Sequence, residues 1–210
     1  MPKVTAPTAA EIAAKSKPSP EGKALITPGM TPAEHLHVLE KNKLSVDSVG
    51  LLAHGLPPKD GICWACQGCR LVAPKMSMPE MDVLHCTEAW LKNPIPALLG
   101  PLSAALLKVD FTGPGSWAGQ AALWMPGGLV AAAISGAILL AGGLKVGAAM
   151  PAIPKPKLAL PMVPLSPEMQ VIKPPVPIPL PVVNQPALMK MLFPFIDLGK
   201  GVASGTVKCC

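Results

Sequence analysis

Apolar residues recur at helical spacing through much of the chain, so the pattern predicts an all-α protein. The first start signal is Thr31-Pro32-Ala33-Glu34: Thr31 can cap, Pro32 suits the first helical position, and Glu34 can close a capping box. Leu36, Leu39 and Leu44 then supply a buried stripe. Val46, Val49, Leu52 and Ala53 continue a helical period to Gly55, where a second short helix should stop.

Pro57-Pro58-Lys59-Asp60 opens a third helix carrying Ile62, Trp64, Ala65 and Leu71. Ser77-Met78-Pro79-Glu80 repeats the cap-and-glutamate arrangement, with Met81, Leu84 and Leu91 on one face before Asn93-Pro94. A further apolar helix is expected from about residue 95 to 109. After the turn at Thr112-Gly113-Pro114-Gly115, Trp117, Ala121 and Trp124 stand at i, i+4 and i+7, so both indoles can face one groove of a core.

From Phe111 to Leu144 no charged residue occurs, and Gly127 to Leu144 is a Gly/Ala/Leu/Ile/Val run near the shortest length that crosses a bilayer. Its Ala and Gly gain little in lipid, and a central helix packed on all sides accounts for the same residues. Both readings stay open, the buried helix being preferred. The last helix is expected from Gln185 or Pro186 to about Ala203, with Leu188, Leu192 and Ile196 in register and Pro194 starting or kinking a turn.

Composition changes this picture at two places. Residues 1–30 are rich in Pro, Ala, Ser, Thr and Lys without a sustained period, and are expected to be a disordered arm. No uninterrupted apolar run follows the first Lys, so they do not resemble a secretory signal. Of the 28 prolines, many fall in residues 151–186, predicting an extended or irregular segment whose Val, Ile, Leu and Met side chains lie across the helical body. The expected architecture is thus a compact bundle of about six to eight short helices. It divides into an arm (1–30), a helical core (31–150), a Pro-rich insertion packed on or beside it (151–185) and a closing helix with tail (186–210).

Mean hydropathy is +0.43 and half of the residues are apolar, but Tyr is absent and aromatics are only 3%. The core must therefore be built from small aliphatic side chains on closely packed helices. The net charge of +6 comes from scattered Lys and a single Arg, Arg70, with few aromatics to stack on bases, so no nucleic-acid partner is expected.

Cys63, Cys66 and Cys69 form C-x2-C-x2-C, with His85-Cys86 downstream, a spacing of thiolates that can hold zinc or an iron–sulfur cluster. Metal knuckles favour Gly-rich turns, whereas this run falls in a predicted helix, so small packing residues with reduced thiols are the expectation and no metal or cofactor is assigned. Cys209-Cys210 is expected to be a pair of exposed thiols. His35, His37, His54 and His85 are dispersed, and none of the phosphate-cradling, nucleotide-binding, serine-nucleophile or zinc-protease motifs occurs, so no catalytic residue is assigned and no enzyme is expected.

Taken in order, the segments from Leu51 to Pro57, Trp64-Ala65-Cys66, Glu88-Ala89-Trp90-Leu91, Pro114-Gly115-Ser116-Trp117-Ala118, Ala122 to Gly128, Ala131 to Ala141 and Phe195 to Gly205 resemble an uncharacterised bacterial family commonly encoded beside type VI secretion genes. The extra Cys63 and Cys69, the Pro-rich insertion and the Cys-Cys pair depart from its pattern. The resemblance implies only a neighbourhood, the cytoplasmic side of a contractile injection apparatus in a bacterium, with spike, tip or effector proteins as partners. The leading expectation is a non-enzymatic accessory protein, an adaptor or chaperone-like scaffold that offers apolar, Pro-rich surface to such a partner, with no small-molecule substrate. Its Trp90, Trp117 and Trp124 helices would form one core. A single-span membrane component and a small metal or redox protein using Cys63, Cys66, Cys69 and Cys86 are the alternatives.

Overall fold

The computed structural model describes residues 1–125, 127–144 and 185–208, with the side chains of Gln185 and Pro186 left aside. Among them stand ten α-helices and no strand: α1 (Ala9–Ser16), α2 (Pro20–Ala24), α3 (Pro32–Lys41), α4 (Ser45–Gly55), α5 (Pro58–Val72), α6 (Met78–Lys92), α7 (Leu99–Leu106), α8 (Pro114–Leu123), α9 (Val130–Ala141) and α10 (Gln185–Ser204). The all-α bundle expected from the periodicity is what forms. Of the Pro-rich segment expected at 151–185, residues 151–184 lie outside the described residues, as does the Cys209-Cys210 pair.

The uncharged run settles into α9, only 12 residues long, at the centre of the bundle against α8, α5 and α4. Its Val130, Ala133, Ile134, Ala137 and Ile138 are buried. Among the described residues no helix is long and apolar enough to cross a membrane. Close approach is possible because α5 presents glycines seven residues apart: a Cβ at Gly61 would stand 2.6 Å from Ile134 Cδ1, and one at Gly68 2.8 Å from Ile138 Cδ1. Seven residues are about two helical turns, so both glycines lie on one face of α5, towards α9.

Trp64 is wholly buried on α5, while Trp90 and Trp117 are buried and Trp124, at the end of α8, is half-buried. The indole of Trp117 meets Phe111 edge to face, centroids 6.1 Å apart, and its Nε1–H donates to the Phe111 carbonyl at 2.9 Å. The indoles thus share one core, with Trp64 rather than Trp124 as its most enclosed member.

Residues 1–30 depart from the disordered arm expected of them. They carry α1 and α2 and are fastened at several points: Lys3 N–H to the Ala203 carbonyl (3.1 Å), Thr5 N–H to the Gly55 carbonyl (3.0 Å), and Lys3 Nζ to Asp60 Oδ1 (2.8 Å). Thr8 caps α1, Ile12 is buried beside Gly55, and Ser19 N–H and Oγ both donate to the Asp47 carboxylate of α4. Anchoring by backbone bonds and one Ile leaves no apolar period to read.

The expected start signals fare differently. At α3 the capping box is complete: Thr31 Oγ1 accepts from Glu34 N–H, and Glu34 Oε2 accepts from Thr31 N–H at 2.8 Å. At α6 Ser77 caps as expected, but Glu80 does not turn back to close a box. Its carboxylate reaches α8 instead.

Candidate functional site

Along α3, Ala33, Leu36, His37 and Glu40 follow the i, i+3, i+4, i+7 spacing of a single helical face, and along α10 Pro194, Asp197, Leu198 and Gly201 repeat it. These two stripes border one groove of about 800 Å³, whose wall is completed by Met1, Leu71, Thr206 and Val207. The two helices scarcely touch elsewhere. Lys200 Nζ spans between them, 3.0 Å from Glu40 Oε1 and 3.6 Å from Asp197 Oδ1, and lies 5.8 Å from the Phe193 ring centroid. One lysine thus stands between two carboxylates, and the groove offers apolar walls with an ionic tie across it.

Two large apolar side chains at this border face solvent: Leu71 is 55% exposed and Phe193 50%. Leu71, expected on the buried face of its helix, stands at the end of α5, where the chain leaves the core. Pro194 lies inside α10 without ending it. The preceding backbone carbonyls lose a helical donor there, a cost a helix terminus would have avoided.

On the other side of α10 the packing is tight. The indole Nε1–H of Trp64 donates to the Phe195 carbonyl at 2.8 Å, and a Cβ at Gly199 would stand 2.7 Å from Trp64 Cε2. This contact fixes the rotation of α10, and with it the face presented to the groove.

The cysteine run lies along one buried helix. Cys63, Cys66 and Cys69 are all buried on α5, and among the described residues no three His, Cys, Asp or Glu side chains stand together as metal ligands. Burial, and then the negative charges of Glu80 and Glu88, push the Cys69 thiol far above its ordinary range. Burial, with Asp82 adding, raises that of half-buried Cys86. Cys63 is disulfide-bonded, against the expectation of reduced thiols throughout. Arg70 forms a two-pronged ion pair with Glu88, its Nε 2.8 Å from Oε1, tying α5 to α6 beside this run.

The histidines stand apart. His35 is buried with Nε2 3.0 Å from the Gly22 carbonyl, His37 lines the groove, His54 is half-buried, and His85 is exposed. Burial, with the Lys15 charge adding, holds His54 below the ordinary imidazole range.

Glu80 is the most enclosed carboxylate of the molecule's described residues. Its Oε2 accepts the Ser116 N–H at 2.8 Å, so a side chain of α6 caps the first turn of α8, whose own N-cap, Gly113, has no side chain to do so. A Cβ at Gly115 would stand 2.6 Å from the Glu80 carbonyl oxygen, so the approach needs glycine there. Burial raises the Glu80 carboxyl above its usual range, with the Ser116 hydrogen bonds working against the rise. Oε1 has no hydrogen-bond partner. This carboxylate is enclosed within the bundle and serves to join helices.

Helices held apart around an open groove, with no group of metal-ligating side chains among the described residues, define an all-α class in which the exposed groove is the feature that packing does not account for. Residues 35–153, more than half of the chain, match the model of the family of unknown function DUF6931, and the chain belongs to that family. No curated protein and no solved structure matches the chain.

Proposed function

We propose that this chain is a non-enzymatic accessory protein of a bacterial type VI secretion locus, an adaptor or chaperone-like scaffold acting in the cytoplasm, and that it receives a segment of a spike, tip or effector protein in the α3–α10 groove. The observation that carries the reading is the pair of facing stripes, Ala33/Leu36/His37/Glu40 and Pro194/Asp197/Leu198/Gly201, left apart in an otherwise close-packed bundle. Packed interiors leave few voids of that size, and an open apolar groove is the form in which a helical body accepts another chain. The resemblance to a family encoded beside secretion genes suggests the class of partner, and the open groove supports this face as the docking surface. The exposed Leu71 and Phe193 add apolar surface at its border.

Co-purification from the native host after crosslinking tests this reading. Leu198→Glu and Leu71→Glu should each abolish recovery of secretion-apparatus proteins while the circular dichroism of the helical body stays unchanged. Recovery equal to that of the unaltered chain in both variants would refute the groove as the docking surface.

A further inference from the structure

α10 turns one face to the body and another to solvent. Leu188, Leu192, Phe195 and Ile196 are buried, whereas Ala187, Met191 and Pro194 are exposed and Leu198 is half-buried. The latter four follow one another at steps of four, three and four residues, the spacing of the apolar seam along which two helices pair. Pro194 and Leu198, the second half of that seam, line the α3–α10 groove, while Ala187 and Met191, the first half, lie outside it.

Charge follows the same division. Lys190 is exposed beside the first half of the seam. Beside the second half, the Asp197 side chain is 66% exposed, and Asp197 and Glu40 together set two carboxylates around the single ammonium of Lys200. One half of the face therefore carries a cation, and the groove half carries more negative than positive groups. Two copies of the helix laid antiparallel satisfy both features at once. With a two-fold axis midway between Met191 and Pro194, Met191 meets Pro194 of the second copy and Ala187 meets its Leu198, and Lys190 comes opposite its Asp197. Symmetry makes each contact twice. Parallel pairing would instead set Lys190 against Lys190 and Asp197 against Asp197.

We propose that this face of α10 joins two copies of the chain in an antiparallel, two-fold symmetric dimer, in which the outer half of each α10 enters the α3–α10 groove of the other copy. α10 is 20 residues long, about 30 Å, so the seam is short and the dimer exchangeable, with a dissociation constant of about 1–100 µM. The self-association stands on the seam and charges of α10. Only one consequence rests on the groove being the docking surface for a secretion partner: the dimer covers Pro194 and Leu198, so such a partner displaces the second copy, and the apolar face is kept from water until it arrives.

Sedimentation velocity of the full chain from about 1 to 300 µM should show a monomer–dimer equilibrium that weakens with added salt. A chain that stays monomeric over that range would overturn the proposal. Lys190→Glu sets a carboxylate opposite Asp197 of the second copy, and Asp197→Lys sets an ammonium opposite its Lys190. Both positions are exposed, so each variant should keep the helical circular dichroism while weakening the dimer at least about tenfold. Mixed in equal amounts, the two variants should pair with each other about as well as the unaltered chain pairs with itself, since each position then meets its opposite charge. Single variants that dimerise like the unaltered chain, or a mixture no tighter than its components, would refute the antiparallel pairing. Recovery of secretion-apparatus proteins is read separately. A dimer that obeys the charge exchange while none of them is recovered refutes the proposed partner and leaves the self-association standing; their recovery with a chain that is monomeric throughout does the reverse.

Discussion

The indole Nε1–H of Trp64 donates to the backbone carbonyl of Phe195, 131 residues further along the chain, at 2.8 Å. It does so because Gly199, one turn on in α10, has no side chain in the way. A buried aromatic with one polar atom needs a partner for that atom, and here the partner is a helix carbonyl reached only over a glycine. The pair fixes how α10 lies on α5, and so which of its faces is left for the groove.

Two substitutions test that contact. Trp64→Phe keeps an aromatic ring but removes the donor and leaves space, and should cost about 2–4 kcal/mol, the sum of a buried hydrogen bond and a small cavity. Gly199→Ala forces a Cβ against the indole and should cost about 1–3 kcal/mol despite alanine's better helix propensity. Urea denaturation of each variant and of the double variant should show less than the sum of the two losses, because both act on one contact. Full additivity would mean the two side chains are independent.

How much of this could be read from the sequence depends on what holds each element. Where an apolar stripe does the work, as in α3, α4 and α6, periodicity and caps placed the helices within a few residues; α9 has no stripe and was legible only as an uncharged run that lipid or a core could have received. Where polar groups reach across the chain, nothing local announces it: Asp47 receiving Ser19, Lys3 reaching Asp60, and Glu80 capping α8 all join residues at least 28 positions apart. Ser77-Met78-Pro79-Glu80 reads as a capping box because the local geometry permits one, and tertiary contact overrides it. The groove shows in the sequence only as two ordinary amphipathic faces. That they do not meet each other is decided by the rest of the bundle.

Stability should vary with pH through two enclosed groups that act in opposite directions. Burial raises the Glu80 carboxyl above its ordinary 4.5, so its proton is held more tightly in the fold than in the unfolded chain. That contribution is complete below 4.5 and is lost as pH rises through the raised value. Burial and Lys15 hold His54 below its ordinary 6.5, so its contribution is complete above 6.5 and is lost as pH falls through the lowered value. Between these limits the two slopes oppose each other. Relative to the unaltered chain, the urea midpoint of Glu80→Gln should improve as pH rises from 4.5 to 6.5, and that of His54→Gln should improve as pH falls over the same range. Midpoints that keep a constant offset across it would show that neither group is shifted as described.

The glycines of the helix contacts should separate by what a Cβ would meet. At Gly61 the obstacle is Ile134 Cδ1, the end of a flexible side chain that can turn aside. Gly61→Ala should therefore change stability by no more than about 1 kcal/mol, since helix propensity gains nearly what repacking loses. At Gly115 the obstacle is the Glu80 carbonyl oxygen, which belongs to the backbone of α6 and cannot turn. Gly115→Ala should cost about 2–4 kcal/mol by parting α6 from α8 and loosening the cap on Ser116. Thermal melts of the two variants side by side would decide the matter, and equal losses would contradict it.

Thiol reactivity should follow enclosure rather than position in the cysteine run. The thiolate is the species that reacts, and burial, with Glu80 and Glu88 adding, keeps Cys69 protonated at pH 8. Cys86 is raised as well, but it is only half-buried and can be reached from solvent. In folded protein at pH 8, iodoacetamide should therefore mark Cys86 at least about tenfold faster than Cys69, whose labelling should require global opening of α5 from α9. The same labelling in urea should remove the difference. Comparable rates in the folded protein would mean that α5 opens locally, and that the contacts of Gly61 and Gly68 with α9 are not the rigid core that their spacing and the buried side chains of Ile134 and Ile138 describe.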